Sequence, residues 1–336
     1  MTDNTAMVMA AAGEAPVPES RPVPAPGPGE ALVRVRASSL NFHDLVNLLG
    51  VIKGPWPRVP MTDGAGEVVA IGDGVQSVAL GDRVLGAFQP LWLDGALTGA
   101  GQRITPGDTG DGWLQQYKAF PANALVPVPA HLSDAEAATL VCAGTTAWSA
   151  LGAGAVTTGS VVVTQGTGGV SIFALQLARA RGATVILTSS SDEKLDVALG
   201  LGADHVINYR TNEDWHRSVR DITDGRGADL VLDLGGPDTL TRSIEATRMD
   251  GTVAVIGVLS GFGAAEIPLT SVMTRQIRVR GITVGPVAAH RALCAAVSAA
   301  RLRPHVSHSF HWSELAEATR VQHAGEHLGK IVIEIP

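Results

Sequence analysis

Residues 161–171 read Val161-Val162-Val163-Thr164-Gln165-Gly166-Thr167-Gly168-Gly169-Val170-Ser171. A short run of β-branched residues passes into a glycine-rich turn, and a helical segment follows over Ser171 to Arg181. Gly166 permits a tight turn, and Gly168 lets the backbone approach a pyrophosphate. Ser171 fills the third fingerprint position and is small enough for close helix–strand packing. Backbone N–H groups of Thr167, Gly169 and Val170 at the helix N-terminus would hold the phosphate charge. The same string also serves as a βα turn without a ligand. What favours the dinucleotide is context, because further strand–helix units follow.

Downstream, Ala183 to Thr188 reads as a strand, Glu193 to Leu201 as a helix and Ala203 to Asn208 as a strand. Leu230-Val231-Leu232-Asp233 and Val253-Ala254-Val255-Ile256 read as two more strands. Near-continuous Val, Ile and Leu in strands that alternate with helices predicts a parallel sheet covered on both faces. The second strand bears on which dinucleotide is bound. NAD-binding sites usually place an acid about 20 residues after the glycines, on the ribose hydroxyls. Here Val185-Ile186-Leu187-Thr188 runs into Ser189-Ser190-Ser191. No carboxylate opposes a 2′-phosphate there, the hydroxyls can donate to it, and Lys194 can supply charge. Asp192 and Glu193 lie close by, where the start of a helix also favours acids. NADP(H) is therefore the expected cofactor.

The first third of the chain differs. After a Pro- and Gly-rich stretch at residues 14–30, Ala31 to Ala37 alternates apolar with polar, and Val68 to Ile71 and Asp82 to Leu85 form further short strands between turns. This pattern predicts a small β-barrel. Residues 89–112 carry six glycines without periodicity and predict a long loop, and Ser133-Asp134-Ala135-Glu136 is a capping box. At 336 residues, two domains are the default. The net charge of −7 argues against a nucleic-acid partner. No run reaches the roughly 18 apolar residues of a membrane helix. Met1-Thr2-Asp3-Asn4 lacks the basic start of a signal peptide. With only Cys142 and Cys294 in the chain, a cytoplasmic location is expected.

With these landmarks in place, the sequence resembles the medium-chain dehydrogenase/reductase superfamily over nearly its whole length. The resemblance rests on Pro26-Gly27-Pro28-Gly29-Glu30, Ser39-Leu40-Asn41-Phe42-His43-Asp44, Asp63-Gly64-Ala65-Gly66-Glu67-Val68, Val78 to Val84 and the glycine turn. Gly202 to Tyr209 and Gly329-Lys330-Ile331-Val332 add to it. It implies an α/β fold: a GroES-like β-barrel domain (1–130), a Rossmann domain (131–268) and a C-terminal return to the first domain (269–336). It implies a cleft between the two for the active site, and a homodimer or homotetramer.

Zinc-dependent members hold the metal through a Cys, a His-Glu pair and a later Cys or Asp. The matching positions here are Asn41, Thr62-Asp63 and Cys142, too few soft ligands for Zn²⁺. The chain is thus similar to the zinc-independent, quinone-reductase-like branch. His305, His308 and His311 invite a metal reading, but on a strand they alternate faces and do not converge. The resemblance further implies that Thr146 bonds near the nicotinamide and that Tyr209 packs by the adenosine phosphate. Gly257, Leu259 and Thr283 lie in segments that line the nicotinamide, and Lys330 joins the cofactor set.

Hydride transfer to a carbonyl, or to a carbon conjugated with one, builds negative charge on oxygen, and a metal-free site must answer it with donors and a proton source. Asn41 and His43 lie in the matching loop, and His43 falls where zinc enzymes keep a proton-relaying Ser or Thr. An imidazole can do that near neutral pH. The other reading of His43 is local packing. Asp44 is expected to orient the loop. Trp56, Trp92 and Trp113 fit either a substrate cleft or ordinary core and surface. The leading expectation is a zinc-independent NADPH-dependent reductase of a quinone, enone or related activated carbonyl compound. The alternatives are an NADP-dependent alcohol dehydrogenase using His43 in place of metal, and a non-catalytic, crystallin-like NADPH-binding protein.

Overall fold

Six segments supply the strands of one parallel sheet, and their order decides where a ligand can sit. The structure, a computed structural model, describes residues 3–52 and 54–336, so Met1 and Thr2 of the N-terminal stretch lie outside it. Two units divide the chain, residues 3–145 with 285–336, and residues 146–284. The expected boundaries at 130/131 and 268/269 move to 145/146 and 284/285 because two elements belong elsewhere. The helical run Asp134–Ala138 and Leu140–Gly144 stays with the first unit, and the last strand, Arg278–Gly281, completes the sheet of the second.

In the second unit the strands lie in the order His205–Asn208, Thr184–Ser189, Val161–Gln165, Ala228–Asp233, Thr247–Val255, Arg278–Gly281. Every neighbouring pair is parallel. Counted within the unit this is 3-2-1-4-5-6, the doubly wound order, which reverses direction between Val161–Gln165 and Ala228–Asp233. The central strands are apolar along their length because helices cover both faces: Val162, Val163, Leu230, Val231 and Leu232 are fully buried. Trp215 and Val219 of the helix Trp215–Ile222 pack with Val163, Ile186 and Val231. Arg278–Gly281 is an exposed edge strand.

The first unit holds a seven-stranded sheet built on Glu30–Leu40. Ala65–Ile71, Tyr117–Pro121 and Lys330–Glu334 all pair antiparallel with that strand. The last pairing is the C-terminal return, and its register sets Ile331 opposite Leu40. Trp113 is fully buried beneath this sheet. Its indole occupies the space a Cβ would need at Gly64 and Gly86, 2.0 and 1.8 Å from its nearest ring atoms. Those glycines are required by close approach. Trp56 instead stacks under the Arg58 guanidinium at 3.9 Å, and Trp92 donates Nε1–H to the Gly95 carbonyl. Residues 89–112 form the expected long loop, and Ser133 and Glu136 make the reciprocal capping bonds. Among the described residues no helix is long and apolar enough to cross a membrane.

Candidate active site

Every strand of the parallel sheet ends, at its carboxyl edge, on or close to a residue expected to contact the dinucleotide. Gly166 follows the first strand at φ 75°, a backbone region that disfavours side chains, and its N–H is tied to the Thr188 carbonyl at 2.7 Å. Thr167 is buried, Gly168 is the N-cap of the helix Gly169–Ala180, and Gly169 and Val170 open it. A Cβ at Gly166 or Gly168 would meet nothing within 4 Å, so the turn has open space beside these glycines. Ser171 is buried and donates to the Gln165 carbonyl at 2.6 Å, locking helix to strand. Ser189 closes the second strand, Ser190 follows it half-buried, and Ser191 caps the next helix by accepting from the Lys194 N–H. Asp192 accepts from Asn208 Nδ2 at 2.7 Å and so serves the protein itself. Tyr209, 41% exposed, leaves the third strand with its N–H on the Ser189 carbonyl. Gly257 packs against the Leu234 backbone where a Cβ has no room, Leu259 and Thr283 are exposed, and Thr146 is buried in the helix Thr145–Ala153.

Sequence reasoning missed one device at the reversal point. Gln165 accepts from the N–H groups of Leu234 and Gly235 through Oε1, and through Nε2 donates to Ser243 and Asp233. This amide clamps together the ends of the two strands that border the crevice.

In the first unit the expected catalytic residues lie on the helix Phe42–Leu48 and its N-cap. Asp44 is buried. Its carboxylate accepts from the Asn41 and Thr62 N–H groups at 2.9 Å each, and from Asn41 Nδ2 at 3.0 Å. It therefore fixes the loop. Asp63 accepts from Ser39 Oγ at 2.5 Å, from Asn41 Nδ2 at 2.9 Å and from the Cys142 N–H at 3.1 Å. Lys330 is brought in by the C-terminal strand, and its ammonium donates to the Leu40 carbonyl at 2.7 Å and to Asn41 Oδ1 at 2.5 Å, 3.6 Å from Asp63 Oδ2. Lys330, expected in the cofactor set, thus places its ammonium inside the first unit. Burial drives the Asp63 carboxyl up to about 6, the Lys330 charge resisting and the Asp44 charge assisting.

These are the positions the family uses for zinc, and they do not fit it. Asn41 turns its Oδ1 to an ammonium and its Nδ2 to carboxylates, and the ammonium stands close enough to Asp63 to repel a dication. Among the described residues no group of three His, Cys, Asp or Glu side chains could hold a metal. His308 and His311 bond Ser307 and Ser313 through Nδ1.

His43 is half-buried on the same helix. Its Nε2 lies 3.4 Å from Asp108 Oδ2 and its ring meets Phe88 edge-on at 5.5 Å, while Nδ1 is buried without a partner. Burial pulls the imidazolium pKa down, but the Asp108 hydrogen bond and the Asp44 and Asp108 charges outweigh that and the opposing Arg58, so it is raised above its ordinary value. Asp108 carried no sequence signal, since it lies in the glycine-rich loop 89–112.

Residues 27–130 match the alcohol dehydrogenase GroES-like domain, and residues 169–299 match the zinc-binding dehydrogenase domain. A zinc-type alcohol dehydrogenase-like protein of Schizosaccharomyces pombe is 40% identical over 315 residues, 91% of each chain. A 2-haloacrylate reductase of Burkholderia is 31% identical over 323 residues, 90% of each. The crystal structure of a putative alcohol dehydrogenase from Sinorhizobium meliloti superposes with a TM-score of 0.94 at 40% identity, covering 100% of this chain and 99% of that one. The fold, the open glycine turn and these likenesses agree, and the chain belongs to the medium-chain dehydrogenase/reductase superfamily as an alcohol dehydrogenase-like oxidoreductase dependent on NAD(P)H.

Proposed function

We propose that the protein is a zinc-independent, NADPH-dependent reductase of a carbon–carbon double bond conjugated with a carbonyl or carboxyl group, or of a quinone. The carrying observation is the His43–Asp108 pair, a proton source beside a loop whose metal positions hold an ammonium instead. The name of the haloacrylate-reducing relative supports an activated alkene as the substrate class. Support for NADPH comes from Ser189 and Ser190 at the strand end, from Lys194, and from the engagement of Asp192 by Asn208. Cys142 and Cys294 form no disulfide, which suits a reducing, cytoplasmic setting.

When bound, the nicotinamide supplies a hydride. That hydride would go to the substrate carbon β to the carbonyl, and His43 would donate the proton that the α-carbon needs. The ring is left neutral and is recharged from water. Phe88 and Asp108 hold that ring, and Asp44 with Asn41 holds its helix. The test is turnover of 2-alkenoates, enones, quinones and simple alcohols with NADPH and NADH. NADPH-dependent reduction is expected, with a loss of about 10²–10⁴-fold in His43→Gln. Strong alcohol oxidation without enone or quinone turnover overturns the reading, and tight NADPH binding without any turnover favours a binding protein.

We also propose self-association through Arg278–Gly281, an exposed edge strand of the unit that also exposes Leu259, Phe262, Leu269 and Met273. A second copy offers the same edge and the same apolar surface.

A further inference from the structure

The Gly-rich loop 89–112 brings one carboxylate to His43, and that carboxylate is held from a third direction. Arg58, 1% exposed, donates from Nη1 to the backbone carbonyl of Asp108, lies 3.8 Å from Asp108 Oδ1, and is clamped through Nη2 by Asn47 Oδ1. Asn47 in turn donates to the Gly107 carbonyl at 2.9 Å. Asp108 is therefore fixed by contacts that do not involve His43. Asn47 lies one helical turn beyond His43 on Phe42–Leu48, so the helix that carries the imidazole also anchors the loop that carries its partner.

We propose that Asp108 is the positioning residue of His43, fixing the ring through Nε2 and stabilising the imidazolium with opposite charge. This rests on the reading of His43 as the proton donor. The charged groups around the ring are Asp44 on its own helix, Asp108 from the loop and Arg58, with the Phe88 ring as the apolar wall. Asp44 spends its carboxylate on Asn41 and Thr62, whereas Asp108 reaches Nε2 directly. Arg58 would cancel the Asp108 charge if it formed a close pair with it. At 3.8 Å from Oδ1, with its shorter bonds made to Asn47 and to the Asp108 carbonyl, it holds the residue and leaves Oδ2 to the imidazole.

The experiment is a proton-NMR titration of the histidine ring signals in the full-length protein without cofactor, with His43 assigned by the signal lost in His43→Gln. Asp108→Asn should lower the His43 midpoint by about one pH unit, and Asp108→Glu should restore most of it. In turnover, the basic limb of the kcat profile should move down by the same interval in Asp108→Asn, with KM changed less than twofold. If the Asn variant does not fold, Asp108→Ser is read in its place. An unchanged His43 midpoint overturns the proposal. A shifted midpoint in a protein whose His43→Gln variant keeps full activity upholds the positioning and sinks the proton-donor reading instead.

Discussion

The ammonium of Lys330 lies 3.6 Å from the carboxylate of Asp63, with side chains 3% and 0% exposed, and the two are 267 positions apart in the chain. The antiparallel register of Lys330–Glu334 on Glu30–Leu40 creates this pair, so it forms only when the C-terminal strand has docked. Lys330→Met leaves Asp63 buried without a counter-ion, so the carboxyl must either stay charged or take up a proton, and the change should cost about 3–5 kcal/mol in urea unfolding at neutral pH. Adding Asp63→Leu should return part of that, because the uncompensated charge goes with it. A loss below 1 kcal/mol in the single variant would show that the pair is not buried in solution.

Asp63 also gives the stability a pH signature. Its folded pKa, about 6, lies above the unfolded value, so between pH 4 and 6 the folded state keeps a proton that the unfolded chain has released. Raising the pH therefore favours unfolding in that window. The stability of wild type relative to Asp63→Asn should fall from pH 4 to 6 and then level off. A difference that rises with pH would contradict the burial-driven shift.

The parallel sheet was legible because its signals are local: an apolar run, a glycine turn and a capped helix each occupy a dozen residues. Gly166, Gly168 and Ser171 stand where that reading put them. The His43 partner was not legible, since Asp108 sits 65 positions away in a loop without periodicity and is placed by Arg58 and Asn47. Lys330 was visible as a landmark but not as an internal cation, because its role depends on strand register. Trp113 could not be assigned from its surroundings in sequence either. Only the apposition of Gly64 and Gly86 makes it core.

That apposition is testable by itself. Gly86→Ala puts a methyl 1.8 Å from the Trp113 ring, with backbone and indole both confined. The substitution should cost at least about 1–3 kcal/mol, read as a lower midpoint in thermal unfolding. An unchanged midpoint would mean the indole can move aside.

Zinc should be absent from the purified protein at the stoichiometric level, and a chelator should leave reductase activity unchanged. The reason is electrostatic: a dication would have to displace the Lys330 ammonium from Asn41 and Asp63. Stoichiometric zinc whose removal abolishes turnover would overturn the metal-free mechanism.

Self-association through the Arg278–Gly281 edge predicts that its apolar flank is sensitive to charge. Leu269 and Met273 are 74% and 72% exposed and lie one turn apart on the helix Leu269–Thr274. Leu269→Asp with Met273→Asp should shift the mass by light scattering from dimer or tetramer toward monomer, and leave far-ultraviolet dichroism unchanged. An oligomer that survives both substitutions must use another surface.

Cofactor preference turns on Lys194. Its backbone N–H is held by the Ser191 cap at the start of the helix Asp192–Gly200, directly after the strand end that carries Ser189 and Ser190. A bond to a charged phosphate contributes about 1.5–3 kcal/mol, or roughly 10–100-fold in affinity. Lys194→Ala should therefore weaken NADPH by that factor and leave NADH within about twofold, because NADH has no 2′-phosphate for the ammonium to meet. Fluorescence titration of both nucleotides against wild type and variant measures it directly. Equal losses for the two would assign Lys194 to the fold of the helix start and leave the serines and the engagement of Asp192 by Asn208 as the support for NADPH.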